Sequence, residues 1–231
     1  YDFLKTANSE TNMCGRLNIT DSPEVLTLLK SLGLVWQSAN KSRYNIAPTE
    51  NVLVIYESED GLQLEEMRWW LVPSWSSGPS NKFAMFNARI ETVATSKAYK
   101  TPFKTKRCVV IASSFVEWHR GESGKQPYLI EAEQQPLLLA GIWDEWQGEI
   151  KSCSIITQAA RKEFEWLHHR MPLALTEAQL PAWLGETNAP ENLLDALRGQ
   201  CVSLSALEID NTYNNARNKA KPIQVSEAKA C

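Results

Sequence analysis

The dipeptide Asp60-Gly61 constrains the fold more than any other local feature of the chain, because it sits between two strand-forming runs. Residues 52–56 (Val-Leu-Val-Ile-Tyr) are β-branched, aliphatic or aromatic, and a second run leads from Leu62 towards Trp70. An Asp-Gly pair placed between two such runs reverses the chain as a β-hairpin. Further strand-like runs follow at residues 107–117, 128–130, 137–143, 153–157 and 201–207, which continue an antiparallel sheet. Residues 43–48, 73–80, 144–151 and the Asn-rich stretch 211–218 read as loops or turns.

Helices are fewer and shorter. Asp21-Ser22-Pro23-Glu24 opens one with a carboxylate cap and an early proline, Val25, Leu29 and Leu32 recur at helical spacing, and Gly33 closes it. Others are expected after Thr92 as far as about Lys100, ended by Pro102, and around Phe164 and Trp166. Two more follow, one from the capping box Thr176-Glu177-Ala178-Gln179 through Leu184, the other over 190–197 with Gly199 closing it. The absence of a linker or repeat favours one domain. Trp69, Trp70, Trp143 and Trp146 read as core.

Charge and cysteine usage narrow the function classes. A formal net charge of −3 argues against coating nucleic acid by bulk electrostatics. Between Lys82 and Arg107, however, the basic residues Lys82, Arg89, Lys97, Lys100, Lys104, Lys106 and Arg107 stand against the single acid Glu91, whereas 57–66 holds five acids and no base. Such a basic strip suits a short phosphate-bearing segment, or an ordinary solvated face. The apolar runs 108–112 and 137–140 are far too short to span a membrane, and residues 1–12 lack the apolar centre of a secretory signal. Five scattered cysteines with no Cys-x-x-Cys and no Cys/His pairing at metal spacing point to a reduced, cytoplasmic protein that needs neither metal nor cofactor.

Met13-Cys14-Gly15-Arg16 carries the sharpest chemistry. Residues 1–12 have no initiator methionine and no periodicity, so they read as a leader or tag remnant ahead of Met13. With Met13 also removed, Cys14 becomes an N-terminal 1,2-aminothiol, which condenses with an aldehyde to a Schiff base and closes to a thiazolidine. Its α-amine, with a reference pKa near ~7.8 against ~10.4 for lysine, is the neutral nucleophile roughly several hundred times more often at pH 7. The competing reading makes Cys14 a small buried residue at the start of a strand. Glu117 lies between Val116 and Trp118, and period two places it with Phe115 on the opposite face. If that face is covered, the carboxyl becomes a general acid; if it is open, Glu117 is a surface acid. His168 and His169 adjoin, and since neighbouring residues point different ways, one at most is expected in a shared site. Trp75, within 73–80, either stacks on a base or anchors its loop.

The ordered segments Cys14-Gly15-Arg16, Arg43-Tyr44-Asn45-Ile46-Ala47-Pro48, Asn87-Ala88-Arg89-Ile90-Glu91-Thr92, Phe115-Val116-Glu117-Trp118, Ile156-Thr157 and His168-His169-Arg170-Met171-Pro172 resemble the SOS response-associated peptidase (SRAP) family, also called abasic-site processing proteins. The likeness runs from residue 13 to about 225, leaving 226–231 as a tail. It implies a single α+β domain on a bifurcated, partly barrel-like antiparallel sheet flanked by helices. It also implies a thiazolidine crosslink between the N-terminal Cys14 and the ring-opened aldehyde of an abasic site in single-stranded DNA, a lasting shield with low turnover.

Carried over by position, Asn87 helps hold the reacting centre, Glu117 transfers protons and His168 lies near the opened sugar. Arg16 and Arg89 match phosphate contacts, with Pro48, Trp75 and Arg170 as further DNA contacts. The family usually has Asp or Asn where this chain has His169. A monomer in the cytoplasm, joining the nucleoid when DNA is damaged, completes the expectation. Its rivals are a thiol autopeptidase that removes its own leader through Cys14, His168 and Glu117, and a non-covalent single-strand binder. A glutamine amidotransferase also starts Met-Cys-Gly, but the other segments of one are missing.

Overall fold

A computed structural model describes residues 15–37, 42–80, 82–121, 124–185, 190–197, 202–226 and 229–230. Cys14, Gly199, Cys201 and the proposed leader lie outside them. The strands are β1 (Arg16–Ile19), β2 (Arg43–Ile46), β3 (Asn51–Ser58), β4 (Gly61–Trp69), β5 (Asn87–Arg89), β6 (Arg107–Ala112) and β7 (Ser114–Gly121). They continue as β8 (Gly124–Ala132), β9 (Leu137–Trp146), β10 (Ile150–Ala159), β11 (Arg170–Pro172), β12 (Ala174–Leu175), β13 (Leu204–Glu208) and β14 (Lys229–Ala230). Four α-helices flank them: α1 (Pro23–Ser31), α2 (Lys100–Thr105), α3 (Leu180–Leu184) and α4 (Pro190–Leu197).

The hairpin expected at Asp60-Gly61 joins β3 to β4, Ser58 opposite Gly61, with Gly61 at φ +91°, a conformation glycine adopts without strain. From there the chain builds two sheets rather than one. The smaller runs β14-β13-β8-β7-β1-β2. In the larger, pairing passes from β10 through β4, β3 and β6 to β9 and returns from β9 to β10, so it is partly ring-like without forming a full barrel. Two of its pairings, β10 with β4 and β10 with β5, are parallel.

The single strand expected over 107–117 is two strands, one in each sheet. The break is Ser113, whose N–H bonds Asn18 O and whose hydroxyl meets Thr20, so the chain crosses between sheets without leaving a backbone donor unpaired. For the same reason 128–130 and 137–143 belong to different sheets. Residues 43–46 form a strand instead of a loop because β1 supplies the pairing partner, which composition does not reveal. Asp144 is buried inside β9 rather than in a turn; the reversal is confined to 147–149, with Gln147 and Gly148 both at positive φ.

Two helix ends also differ from expectation. Ser22, not Asp21, caps α1, and Asp21 instead accepts from the Ser42 hydroxyl at 2.6 Å. Residues 92–99 are turns, and Pro102 lies within the first turn of α2, where its missing N–H is not needed.

One apolar cluster joins the two sheets, with Trp69, Phe103 and Trp183 fully buried in it. On the other face of β7, Val116, Ile209 and Tyr213 form a small second cluster with Trp118 and Leu129. Arg107 is 5% exposed and donates to carbonyls of Phe103 and Lys104 at the end of α2 and of Trp183 and Gly185 at the end of α3. A guanidinium there satisfies orphan C=O groups of both helices. It is therefore not part of a surface strip. Lys106 is likewise committed, to Asp144 at 2.8 Å.

Candidate functional site

The site forms where β10 is flanked on both edges. At Thr157, β5 presents Arg89 on one side and β11 presents Pro172 on the other. A cavity of about 170 Å³ opens there, lined by Ala84, Phe86, Asn87, Arg89, Thr157, His168, His169 and Arg170. Four of the residues predicted from sequence, Asn87, Arg89, His168 and Arg170, thus share one pocket although they lie far apart in the chain.

Arg170 is the tie that holds this pocket together. Its two terminal nitrogens meet Glu91 at 2.9 and 3.0 Å in a fork, and one of them also reaches Thr157 O at 2.7 Å. The fork draws β11 towards the end of β5, across β10. The hydrogen bond from Arg170 holds the Glu91 carboxyl below the ordinary range. Arg89, by contrast, is exposed on the pocket wall. On the support side, the Tyr99 hydroxyl donates to Asn87 O at 3.3 Å, and burial pushes that phenol up to about 12.

His168 follows a 3₁₀ turn, Lys162–Phe164, and its N–H closes on Phe164 O. The Arg170 N–H donates to His168 Nδ1 at 3.2 Å, which places the ring proton of the neutral form on Nε2. Burial holds this imidazole below its ordinary value, and the charges of His169, Arg120 and Arg170 push the same way. The two histidines do not diverge as expected. Their rings stack, with centroids 4.3 Å apart and planes at 29°, and both line the cavity. The backbone here bends into β11 instead of continuing a helix or strand, so the usual divergence of neighbours does not hold.

Glu117 is covered, at 4% exposure, and stands on β7 opposite Tyr128 of β8. Its face is the one predicted: Phe115 enters the main core while Val116 and Trp118 pack in the second cluster. Trp166, two residues before His168, packs on this strand pair, edge-on to Tyr128 at 5.0 Å and 5.8 Å from His119. β1 enters beside the same stretch, with Arg16 opposite Val116. Arg16 is 5.7 Å from the Trp118 ring, and burial lowers its guanidinium while Glu50 opposes that effect. Pro48 is half-buried in the turn that holds Glu50. Trp75 is 57% exposed, with Lys97 Nζ 4.5 Å from its ring centroid. Arg16, Pro48, Trp75 and Glu117 do not line the cavity.

Sequence reasoning left out Glu91 and His169 as site residues. Glu91 had a signal, since it is the only acid in the basic stretch from Lys82 to Arg107. Among the described residues, no group of three His, Cys, Asp or Glu side chains is placed to hold a metal ion, and no helix is long and apolar enough to cross a membrane.

Residues 13–216 match the family described as SOS response associated peptidase (SRAP). The chain belongs to the SRAP family. Among its relatives, abasic site processing protein YoqW of Bacillus subtilis is 27% identical over 90% of this chain and 97% of its own length. Abasic site processing protein YedK of Escherichia coli is 28% identical over 90% and 96%. A solved structure, a phage-related protein from Bordetella bronchiseptica, superposes with a TM-score of 0.69 at 27% identity, over 86% of this SRAP chain and 95% of that one. The SRAP match begins at Met13, the residue before Cys14, and takes in every pocket-lining residue.

Proposed function

We propose that this SRAP protein processes abasic sites in single-stranded DNA by crosslinking to them through Cys14, once the bond after Met13 has been cleaved and Cys14 carries a free α-amine. The observation that carries the reading is the basic pocket in which Asn87, Arg89, His168 and Arg170 converge, within a family whose relatives bear the name abasic site processing protein.

The chemistry assigns each group a task. The sugar at an abasic site opens to an aldehyde, and the Cys14 amine adds to its carbon to give a carbinolamine. Loss of one water yields the imine, and the Cys14 thiolate adds to the same carbon to close the thiazolidine. Proton movement onto the ring oxygen and onto the departing hydroxyl falls to Glu117, buried beside the entry of β1, while the neutral His168 hydrogen-bonds the sugar oxygen through Nε2–H. Asn87 orients the reacting centre. Arg89 and Arg16 bind flanking phosphates, Arg170 braces the pocket and adds positive potential, and Pro48 and Trp75 contact bases. Trapping the imine by sulfur stops both its hydrolysis and strand cleavage by β-elimination, so product persists.

Cleavage of the 13–14 bond by the chain itself is a coexisting peptidase step, consistent with the family's description. Denaturing gel analysis with an abasic single-stranded oligonucleotide tests the crosslink. The processed protein is expected to shift the DNA, Cys14→Ala to leave it free, and Cys14→Ser to give only a reversible adduct. A stable adduct from the alanine variant rejects the assignment.

A further inference from the structure

We infer that His169 is a positioning residue for His168: stacked against its ring, it fixes the imidazole in the pocket and opposes a positive charge on it. This inference rests on the proposed function for its meaning but not for its test. The geometry is specific. The rings lie 4.3 Å apart at 29°, near enough to parallel for face contact. Both line the cavity, and His168 is half-buried whereas His169 is exposed, so His168 is the more sheltered member of the pair. The His168 ring accepts the Arg170 N–H at Nδ1, its backbone N–H closes on Phe164 O, and the His169 ring covers its face.

The charges around His168 share one sign. Arg120 comes from β7, Arg170 from the segment that follows it, Arg89 from β5 across the cavity, and His169 lies against the ring. Glu91 offsets Arg170 through the fork. With cations on these sides, any charge on His169 makes a second charge on His168 unfavourable, which agrees with the lowered value of that imidazole. The consequence is a neutral imidazole, proton on Nε2, down to lower pH than a solvent-exposed histidine allows. That form donates a hydrogen bond to a sugar oxygen through Nε2–H while Nδ1 is occupied by the Arg170 N–H. Imidazolium would repel the developing iminium instead.

Two substitutions separate stacking from charge. His169→Phe keeps a ring over His168 and removes the like charge; His169→Asp removes the ring and supplies the opposite charge. The chain has only three histidines, so the His168 ring proton is readily followed by NMR titration of the free protein. In the parent, its midpoint is expected below that of the urea-unfolded chain. It should rise in His169→Phe, and rise further in His169→Asp, by about one pH unit, as for an opposite charge at this range. The acid limb of the crosslinking rate should move upward with it, and the crosslinking rate at neutral pH should fall more in the aspartate variant, which has lost the ring. A His168 midpoint unmoved in both variants overturns the inference. A parent protein that leaves abasic DNA unmodified overturns the functional reading instead, while the titration still decides the role of His169.

Discussion

At Arg170 a guanidinium predicted to touch DNA spends its fork on Glu91 and on the Thr157 carbonyl. Its work inside the protein is to fix the relative placement of β5, β10 and β11, and hence of Asn87, Arg89 and His168. Glu117 is the complementary case, a buried carboxyl that accepts the Trp118 N–H at 3.1 Å, on the strand beside which β1 begins. If it moves protons in the reaction, Glu117→Gln will slow crosslinking by about 10²-fold, the scale of a lost general acid–base group, with little change in affinity for undamaged single strands. Rapid-quench crosslinking beside a binding titration separates these quantities; equal rates for the two proteins remove Glu117 from the mechanism.

Elements place these residues through close approaches that leave no room for change. Gly141 on β9 pairs with Cys108 of β6 on one edge and Ile155 of β10 on the other. A Cβ there would stand 3.0 Å from Cys108 Sγ and 3.1 Å from Ser154 O. Gly141→Ala is therefore expected to lower stability by ~1–3 kcal/mol, the range for overpacking a core, measured by urea unfolding; an unchanged midpoint shows that the ring-like sheet yields more easily than argued. Local signals were legible at this scale. Asp60-Gly61, the α1 start and the alternation that sets Glu117 on the face of Phe115 all act within a few residues. The crossing at Ser113 and the pairing of β2 were not, because each depends on a partner distant in sequence, Asn18 in one case and β1 in the other. The same limit hid the stack of His168 on His169, since the bend into β11 sets the directions of both rings.

Over the whole molecule, the loop 211–220 clasps the two strands nearest the proposed N-terminal chemistry. Asn45, at φ 49°, donates to the carbonyls of Asn215 and Asn218, and Lys219 bonds Asn45 O and Glu50. The buried Tyr213 hydroxyl lies 3.0 Å from Ala220 O and 3.4 Å from Asn18 Oδ1. Tyr213→Phe should cost about 1 kcal/mol and speed hydrogen exchange in β1 before β4; exchange rates in β1 equal to those of the parent contradict the clasp. The basic strip seen in sequence takes on separate roles in three dimensions. Arg107 caps helices, Lys106 pairs with Asp144, Lys97 lies over Trp75, and Arg89 faces the pocket. Intact-mass spectrometry of protein incubated with an abasic single-stranded oligonucleotide tests the central claim most directly. One adduct is expected, at the mass of the chain beginning at Cys14 plus the DNA less one water. An adduct that still carries the residues before Cys14 contradicts it.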